Sequence, residues 1–168
     1  MGFAVKLADA SVFLLSLVIA LSVPIIDGQT CLPLSLYPES FVDLKNWYSR
    51  EYGDYLFSEK PDFFVGLVWL EILFQWPLAL SNIYGILAGK PWIKTTSLIF
   101  GVSVTTSMVA ILSDMIRSKK ASDTLLMIYY PFLGLSVLAI LRGLLPHSSR
   151  TTSNIGKRPA ALGRKKRT

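Results

Sequence analysis

The sequence predicts an all-α membrane protein built as a bundle of four transmembrane helices. Hydrophobic residues make up 52% of its 168 residues and charged residues only 17%, whereas soluble domains usually carry about 25% charged residues. The apolar residues form four blocks, each about 20 residues long, which is the length a helix needs to cross the hydrocarbon layer. These blocks cover approximately residues 7–26, 63–88, 95–116 and 124–145. Because backbone groups in lipid must be hydrogen-bonded within the protein, each block is expected to be helical.

The first block has an alternative interpretation as a cleaved signal peptide. It carries only Lys6 at its start, and no clear small-residue cleavage site precedes Asp27. We therefore expect it to be a retained transmembrane helix.

The distribution of basic residues predicts the orientation of the bundle. With four spans, both termini lie on the same side of the membrane, together with eleven of the seventeen Lys and Arg residues; the other side has six. Basic residues favour the cytosolic side. We therefore expect both termini to be cytosolic.

The loop between the first two blocks contains an amphipathic pattern. Phe41, Leu44, Trp47 and Tyr48 recur at helical spacing. A helix could begin at Glu39 or Ser40 and end at Gly53. The sequence thus predicts a short luminal helix with its aromatic residues at the headgroup level.

The end of the sequence differs in composition from the four-helix domain, which we expect to cover residues 8–142. Residues 146–168 are rich in Ser, Thr, Gly and basic residues and predict a disordered, basic cytosolic tail. Lys165 and Lys166 match the dilysine signal that returns membrane proteins to the endoplasmic reticulum. An alternative role for this segment is attraction to anionic lipid, worth about 1 kcal/mol for each basic residue near the surface.

Polar residues within the second block indicate a site inside the membrane. Glu71 lies roughly 12 Å inside the span, where an ionisable group is costly unless it faces protein or water. Helical periodicity places Glu71, Gln75 and Asn82 on one face. This face could hold the bundle together by hydrogen bonds or line an intramembrane ligand cavity. Pro77 would leave a backbone carbonyl free and kink the helix beside Glu71.

Asp27, at the end of the first block, forms a possible acidic pair with Glu71. Two carboxyl groups at a site of low dielectric constant cannot both ionise cheaply, so one would retain a proton. The resulting single negative charge suits an organic cation, and Trp47, Tyr48 and Trp69 would add cation–π attraction if they lined the site.

The residues available for other chemistry are few. The sequence has a single cysteine, Cys31, and a single histidine, His147. This count excludes an intrachain disulfide and a multi-cysteine zinc site. We expect no metal site, no cofactor and no nucleic-acid partner.

The sequence resembles the sigma-2 receptor branch of the EXPERA, or emopamil-binding-protein-like, family. The similar segments run from about residue 8 to residue 142. They include Leu36-Tyr37-Pro38, Trp47-Tyr48 with Glu51, Asp54 with Leu56, Glu71-Ile72-Leu73-Phe74-Gln75 followed by Pro77, Trp92-Ile93, Thr105-Thr106 and Ile111-Leu112-Ser113.

This resemblance implies a homodimeric protein of the endoplasmic reticulum membrane that binds sterols and cationic amphiphiles and acts in sterol homeostasis or trafficking. It implies that Asp27 pairs with a ligand amine, that Glu71 shares its proton, and that Asp54 orders the luminal loop beside the pocket. The cavity would also be lined by Gln75, Tyr48, Thr106 and Tyr129.

The sequence departs from this family pattern in the first helix. Ser22 stands where animal members have a histidine, and the spacing from Pro24 to Asp27 is shorter. Relatives in the emopamil-binding branch isomerise sterol double bonds with intramembrane histidines, whereas His147 lies beyond the fourth block. We therefore expect no enzymatic activity. The alternatives are a sterol double-bond isomerase and a scaffold or chaperone for other membrane proteins.

Overall fold

The computed structural model describes residues 3–145, and all regular elements within this range are helical. Four helical segments are long and apolar enough to cross a membrane: Val5–Thr30, Asp62–Leu87, Ile93–Ser118 and Asp123–Leu144. The prediction of an all-α, four-helix membrane protein is therefore confirmed. The predicted tail, with Lys165 and Lys166, lies outside the described residues.

Seven α-helices follow one another within residues 3–145, and two of them do not span the membrane. These two, α2 and α3, occupy the loop after the first span. The second span consists of α4, a π-helical turn over Glu71–Gln75, and α5. The α-helices are α1 (Phe3–Ile25), α2 (Glu39–Tyr52), α3 (Tyr55–Glu59), α4 (Asp62–Leu70), α5 (Trp76–Leu87), α6 (Ile93–Ser118) and α7 (Asp123–Leu144).

Capping residues set the limits of the loop helices. Gly53 has φ 65°, a left-handed conformation that glycine adopts easily, and it ends α2. The next residue, Asp54, begins α3 by accepting a hydrogen bond from the Leu56 amide at 3.1 Å. The predicted limits of the short helix agree with those of α2.

Helices α6 and α7 form the most extensive helix pair of the bundle. A Cβ atom on Gly101 would lie 2.7 Å from the backbone nitrogen of Ile140 and 2.8 Å from the carbonyl oxygen of Ser136. Small residues are typical of membrane-helix interfaces because they let two backbones approach. Helix α1 completes the bundle by packing against α5 and α7.

The buried side chains form two apolar clusters. One lies at the loop end and joins α3 to the spanning helices; its members include Leu56, Phe64 and Leu125. The other joins α1, α5 and α6 and includes Leu15 and Phe100. Residues of both clusters line one cavity between the helices.

Helix α2 has two apolar faces rather than the single one that its sequence pattern suggested. Phe41 and Tyr48 are half-buried against the bundle, whereas Leu44 and Trp47 are exposed. The inner face also carries Lys45, which is buried.

A π-helical turn precedes Pro77, where the sequence predicted a proline kink. In this turn the Trp76 amide bonds the Glu71 carbonyl, five residues back. The wider turn accommodates a residue that has no backbone N–H, and π-turns often occur at functional sites. It contains both Glu71 and Gln75, the two polar residues predicted to line a cavity.

Candidate ligand-binding site

A cavity of about 220 Å³ lies between the spanning helices and the folded loop. Its walls are mostly apolar and aromatic, with polar groups contributed by α1, α2, the second span and α7. The lining residues are Ile19, Ser22, Ile26, Asp27, Tyr48, Phe57, Phe64, Glu71, Gln75, Val104, Met108, Ile111, Ile128, Tyr129 and Phe132.

Asp27 enters the cavity from a 3₁₀ turn, Asp27–Thr30, that directly follows α1. The buried Gln29 side chain fixes this turn, since its amide nitrogen donates to the carbonyl oxygens of Ile25 at 2.5 Å and Phe41 at 2.9 Å. A single side chain thereby ties the end of α1 to α2. The turn holds the Asp27 carboxyl group at the loop end of the cavity.

Glu71 and Gln75 enter the cavity from the π-turn. The buried Gln75 amide donates hydrogen bonds to the hydroxyl groups of Ser103 at 3.0 Å and Ser107 at 3.1 Å, both on α6. These bonds fix the amide, so Gln75 joins two helices while it lines the cavity. Glu71 makes no side-chain hydrogen bond to any described residue, so its carboxyl group is available to a ligand or a proton.

Asp54 organises the aromatic edge of the site from outside the cavity lining. This fully buried carboxyl group accepts a hydrogen bond from the Tyr129 hydroxyl at 2.8 Å and caps α3 through its other oxygen. Burial raises the pKa of Asp54 above its ordinary value. Burial and the nearby charges of Asp54 and Asp27 raise the pKa of the Tyr48 phenol, which keeps this cavity-lining group protonated.

The structure brings together five of the six residues predicted to line the site: Asp27, Tyr48, Glu71, Gln75 and Tyr129. It places Asp54 beside them, at the junction of the loop and α7.

The sixth residue, Thr106, is exposed and does not line the cavity. Its hydroxyl group bonds the Val102 carbonyl oxygen of its own helix at 2.9 Å, as hydroxyls in membrane helices often do. Trp47 and Trp69 are also exposed and lie outside the lining, and Asn82 is buried elsewhere in the bundle.

The sequence reasoning missed most of the apolar wall. Phe57, Phe64 and Phe132 supply its aromatic part and Met108 a flexible one. Val104, Met108 and Ile111 recur at helical spacing on α6, which indicates a shared face. That spacing does not distinguish a face that packs against a neighbour from one that faces a cavity.

The site combines two carboxyl groups with an apolar, aromatic enclosure. Such an arrangement favours an apolar molecule that carries a positive charge, because the carboxylates attract the charge and the ring faces add cation–π attraction. No group of three or more potential metal ligands occurs within residues 3–145.

Comparisons with known proteins give consistent similarities. A family model described as EXPERA, the expanded EBP superfamily, matches residues 40–143. The sequence is 32% identical over 130 residues to sigma intracellular receptor 2 of Xenopus tropicalis, an alignment that covers 70% of this chain and 76% of the relative.

Two primate relatives carry the same name. The protein of Macaca fascicularis is 33% identical over 123 residues, covering 64% of this chain and 70% of the relative. That of Homo sapiens is 38% identical over 88 residues, covering 52% and 50%. The family match begins after Asp27, so the placement of Asp27 in the site comes from the cavity geometry.

Proposed function

Since this chain belongs to the EXPERA superfamily, we propose that it is a membrane receptor that binds sterols and cationic amphiphiles without transforming them. The observation that carries the proposal is the position of Asp27 and Glu71. These carboxyl groups come from separate segments and line one mostly apolar cavity. Both acids are half-buried, and placing two carboxyl groups in a largely apolar cavity is costly, a cost that a cationic ligand would offset.

The bound amine would lie between the two carboxyl groups. An ionised carboxylate makes a charge-assisted hydrogen bond with an ammonium group, while the second acid would hold a proton because two adjacent charges are unfavourable. The rings of Tyr48, Phe57 and Tyr129 would surround the charge or the attached hydrocarbon. A neutral sterol would use the same apolar wall without the ion pair.

The size of the cavity restricts how a ligand fits. Pockets for drug-sized ligands usually measure about 300–1,000 Å³, whereas this cavity measures about 220 Å³. A sterol would therefore require side-chain movement or leave part of its skeleton between the helices. The flexible Met108 side chain lies in the wall, where movement would enlarge the cavity.

We also propose a cellular setting for this binding activity. Its relatives are named intracellular receptors, and we place this protein in the endoplasmic reticulum membrane as a homodimer with cytosolic termini. Its role there would be in sterol homeostasis or trafficking. Residues 8–142 would form the ligand-binding domain.

Binding measurements with matched variants test the acidic pair. Asp27→Asn should lower the affinity for a cationic amphiphile on the order of tenfold, since one charge-assisted hydrogen bond is lost. The affinity for cholesterol should change less. Asp123→Asn removes an exposed acid outside the cavity and serves as the control. Equal affinity of wild type and Asp27→Asn for the cation would refute the assignment.

Glu71→Gln distinguishes the receptor from a scaffold. A receptor that uses the pair should lose cation binding, whereas unchanged binding would favour a scaffold with a structural cavity. Incubation with a sterol whose double bond an isomerase would shift distinguishes a receptor from an isomerase. We expect no isomerised sterol product.

A further inference from the structure

A second cavity, of about 430 Å³, lies between α2 and α3. Unlike the acidic cavity, it is lined mainly by polar and basic side chains. Phe57 lines both cavities and forms part of the wall between them. The lining residues are Asp43, Lys45, Asn46, Ser49, Arg50, Phe57 and Ser58.

Lys45 is the unusual residue of this cavity. Only 7% of its surface is exposed, yet its ammonium group has no carboxylate within 4.0 Å and no hydrogen-bond acceptor among residues 3–145. Burial and the nearby charge of Lys60 lower the pKa of Lys45. The aliphatic stem of Lys45 is buried, whereas its ammonium group reaches the cavity and has no paired counterion there, so the site favours an anion.

The Arg50 guanidinium group is available to the same anion. The Arg50 Nε atom donates to the Asn46 carbonyl oxygen at 3.3 Å, while its terminal nitrogens bind no described residue. The hydroxyls of Ser49 and Ser58 both bond the Asp54 carbonyl oxygen, which holds the floor of the cavity in place. Asp43 is the one carboxylate in the lining, against two cations.

The neighbouring surface indicates where this cavity lies relative to lipid. On the same helix, Leu44 is 41% exposed and Trp47 is 50% exposed. A helix with exposed apolar and aromatic residues at the end of a bundle is typical of the membrane–water interface. Lipid phosphates lie at this level.

We propose that the basic cavity formed by Lys45, Asn46 and Arg50 binds the phosphate group of a membrane lipid. The ammonium and guanidinium groups make charge-assisted hydrogen bonds to the phosphate oxygens, and the acyl chains extend past Leu44 and Trp47 into the bilayer. This binding is separate from the ligand site and would anchor α2 to the leaflet.

Thermal unfolding of the full-length protein in detergent tests the proposal through titration with defined probes. Phosphatidic acid should raise the apparent Tm in a saturable way, and diacylglycerol with the same acyl chains should not. Lys45→Gln should lower the affinity for phosphatidic acid about tenfold, because the substitution removes one positive charge. Lys94→Gln, at the opposite end of the bundle, should leave the affinity unchanged.

A gain of affinity separates a binding defect from misfolding. Asp43→Asn removes the carboxylate that repels the anion, so it should raise the affinity for phosphatidic acid about threefold. Saturable stabilisation that is weakened by Lys45→Gln and strengthened by Asp43→Asn supports the proposal. Equal titrations in these variants and wild type would overturn the site, and stabilisation by inorganic phosphate but not by the lipid would overturn the lipid as its source.

Discussion

Substitution of Asp54 by alanine should destabilise the protein at the junction of the loop and α7. The Asp54 carboxylate makes two buried hydrogen bonds, one to the Leu56 amide at 3.1 Å and one to the Tyr129 hydroxyl at 2.8 Å. Alanine would leave both donors without this acceptor. The packing of α3 against α7, which closes one side of the ligand cavity, depends on them.

The magnitude follows from these two bonds. Loss of a helix cap costs about 1 kcal/mol, and an unsatisfied buried donor costs about 1–3 kcal/mol. Asp54→Ala should therefore reduce the free energy of unfolding by about 3 kcal/mol. For a protein of this length, the apparent Tm should fall by about 6–12 °C.

Cys31 provides an assay because it is the only cysteine of the chain. Its thiol donates to the Val65 carbonyl oxygen at 3.6 Å and is partly buried, so a thiol-reactive dye should label it faster on unfolding. Asp54→Asn is the matched control, because it retains an oxygen for the cap and can bond the tyrosine hydroxyl through its amide. Asp54→Asn should lower the free energy of unfolding by only about 1 kcal/mol.

The pH dependence provides a second test of the same residue. Burial raises the pKa of Asp54 in the folded state above 3.8, so its contribution to stability is largest below pH 3.8 and falls as the pH rises through the folded-state pKa. Asp54→Asn cannot titrate and should lose this dependence. The stability of wild type relative to Asp54→Asn should therefore decline between acidic and neutral pH.

Tyr129→Phe completes a double-mutant cycle with Asp54→Ala. The two substitutions remove the same hydrogen bond, so the loss in the double variant should be about 1–2 kcal/mol smaller than the sum of the single losses. If the losses of unfolding free energy in the two single variants add up to the loss in the double variant, or if Asp54→Ala has the same Tm as wild type, the coupling inferred from the structure is refuted.

Two further predictions concern packing within the membrane. Gly101→Ala should lower the free energy of unfolding by about 1–3 kcal/mol, because the new methyl group meets the α7 backbone. A Cβ atom on Gly134 meets nothing within 4 Å, so Gly134→Ala should be neutral or slightly stabilising. Equal melting temperatures of the two variants would contradict the close helix contact. Asn82→Leu should raise the free energy of unfolding by about 1–3 kcal/mol, because both polar atoms of the Asn82 amide are buried without a described partner. Gln75→Leu should lower the free energy of unfolding, because the Gln75 amide is hydrogen-bonded. A lower Tm for Asn82→Leu would show that the Asn82 amide is hydrogen-bonded too.

The four spans could be predicted from the sequence because lipid imposes a simple constraint on length and polarity. The inward position of Glu71 could also be predicted, since an ionisable residue deep in an apolar block must face the interior. Glu71 lines the cavity in the structure, as do Gln75 and Asp27, and the proton-sharing pair of Asp27 and Glu71 stays a prediction. The family comparison confirms the resemblance that the motifs indicated.

Side-chain direction within the helices was harder to predict. Thr106 and Ser107 are adjacent hydroxyl residues, but only Ser107 faces Gln75. One residue changes direction by about 100° around a helix, so a small error in phase exchanges an inward residue for an outward one. The π-turn adds such a shift at Glu71–Gln75, and no periodic pattern predicts it.

The apolar pattern of α2 concealed its most polar buried residue in the same way. Leu44 and Trp47 face outward, while Phe41 and Tyr48 face inward on either side of Lys45. Periodicity counted all four apolar residues as one face, although they serve two surroundings. The sequence could not show that the Lys45 side chain is buried, because its burial arises where α3 folds beside α2.

The folded loop and the spanning helices each supply only part of the ligand site. Asp27, Tyr48 and Phe57 come from the loop region, whereas Glu71 and Gln75 come from the second span. A ligand that contacts both parts binds the folded loop and not an unfolded one, so it must stabilise the loop by mass action. Conversely, a change that loosens the loop, such as Asp54→Ala, should weaken ligand binding although Asp54 does not line the cavity. Affinity in this architecture therefore depends on the stability of the loop as well as on direct contacts.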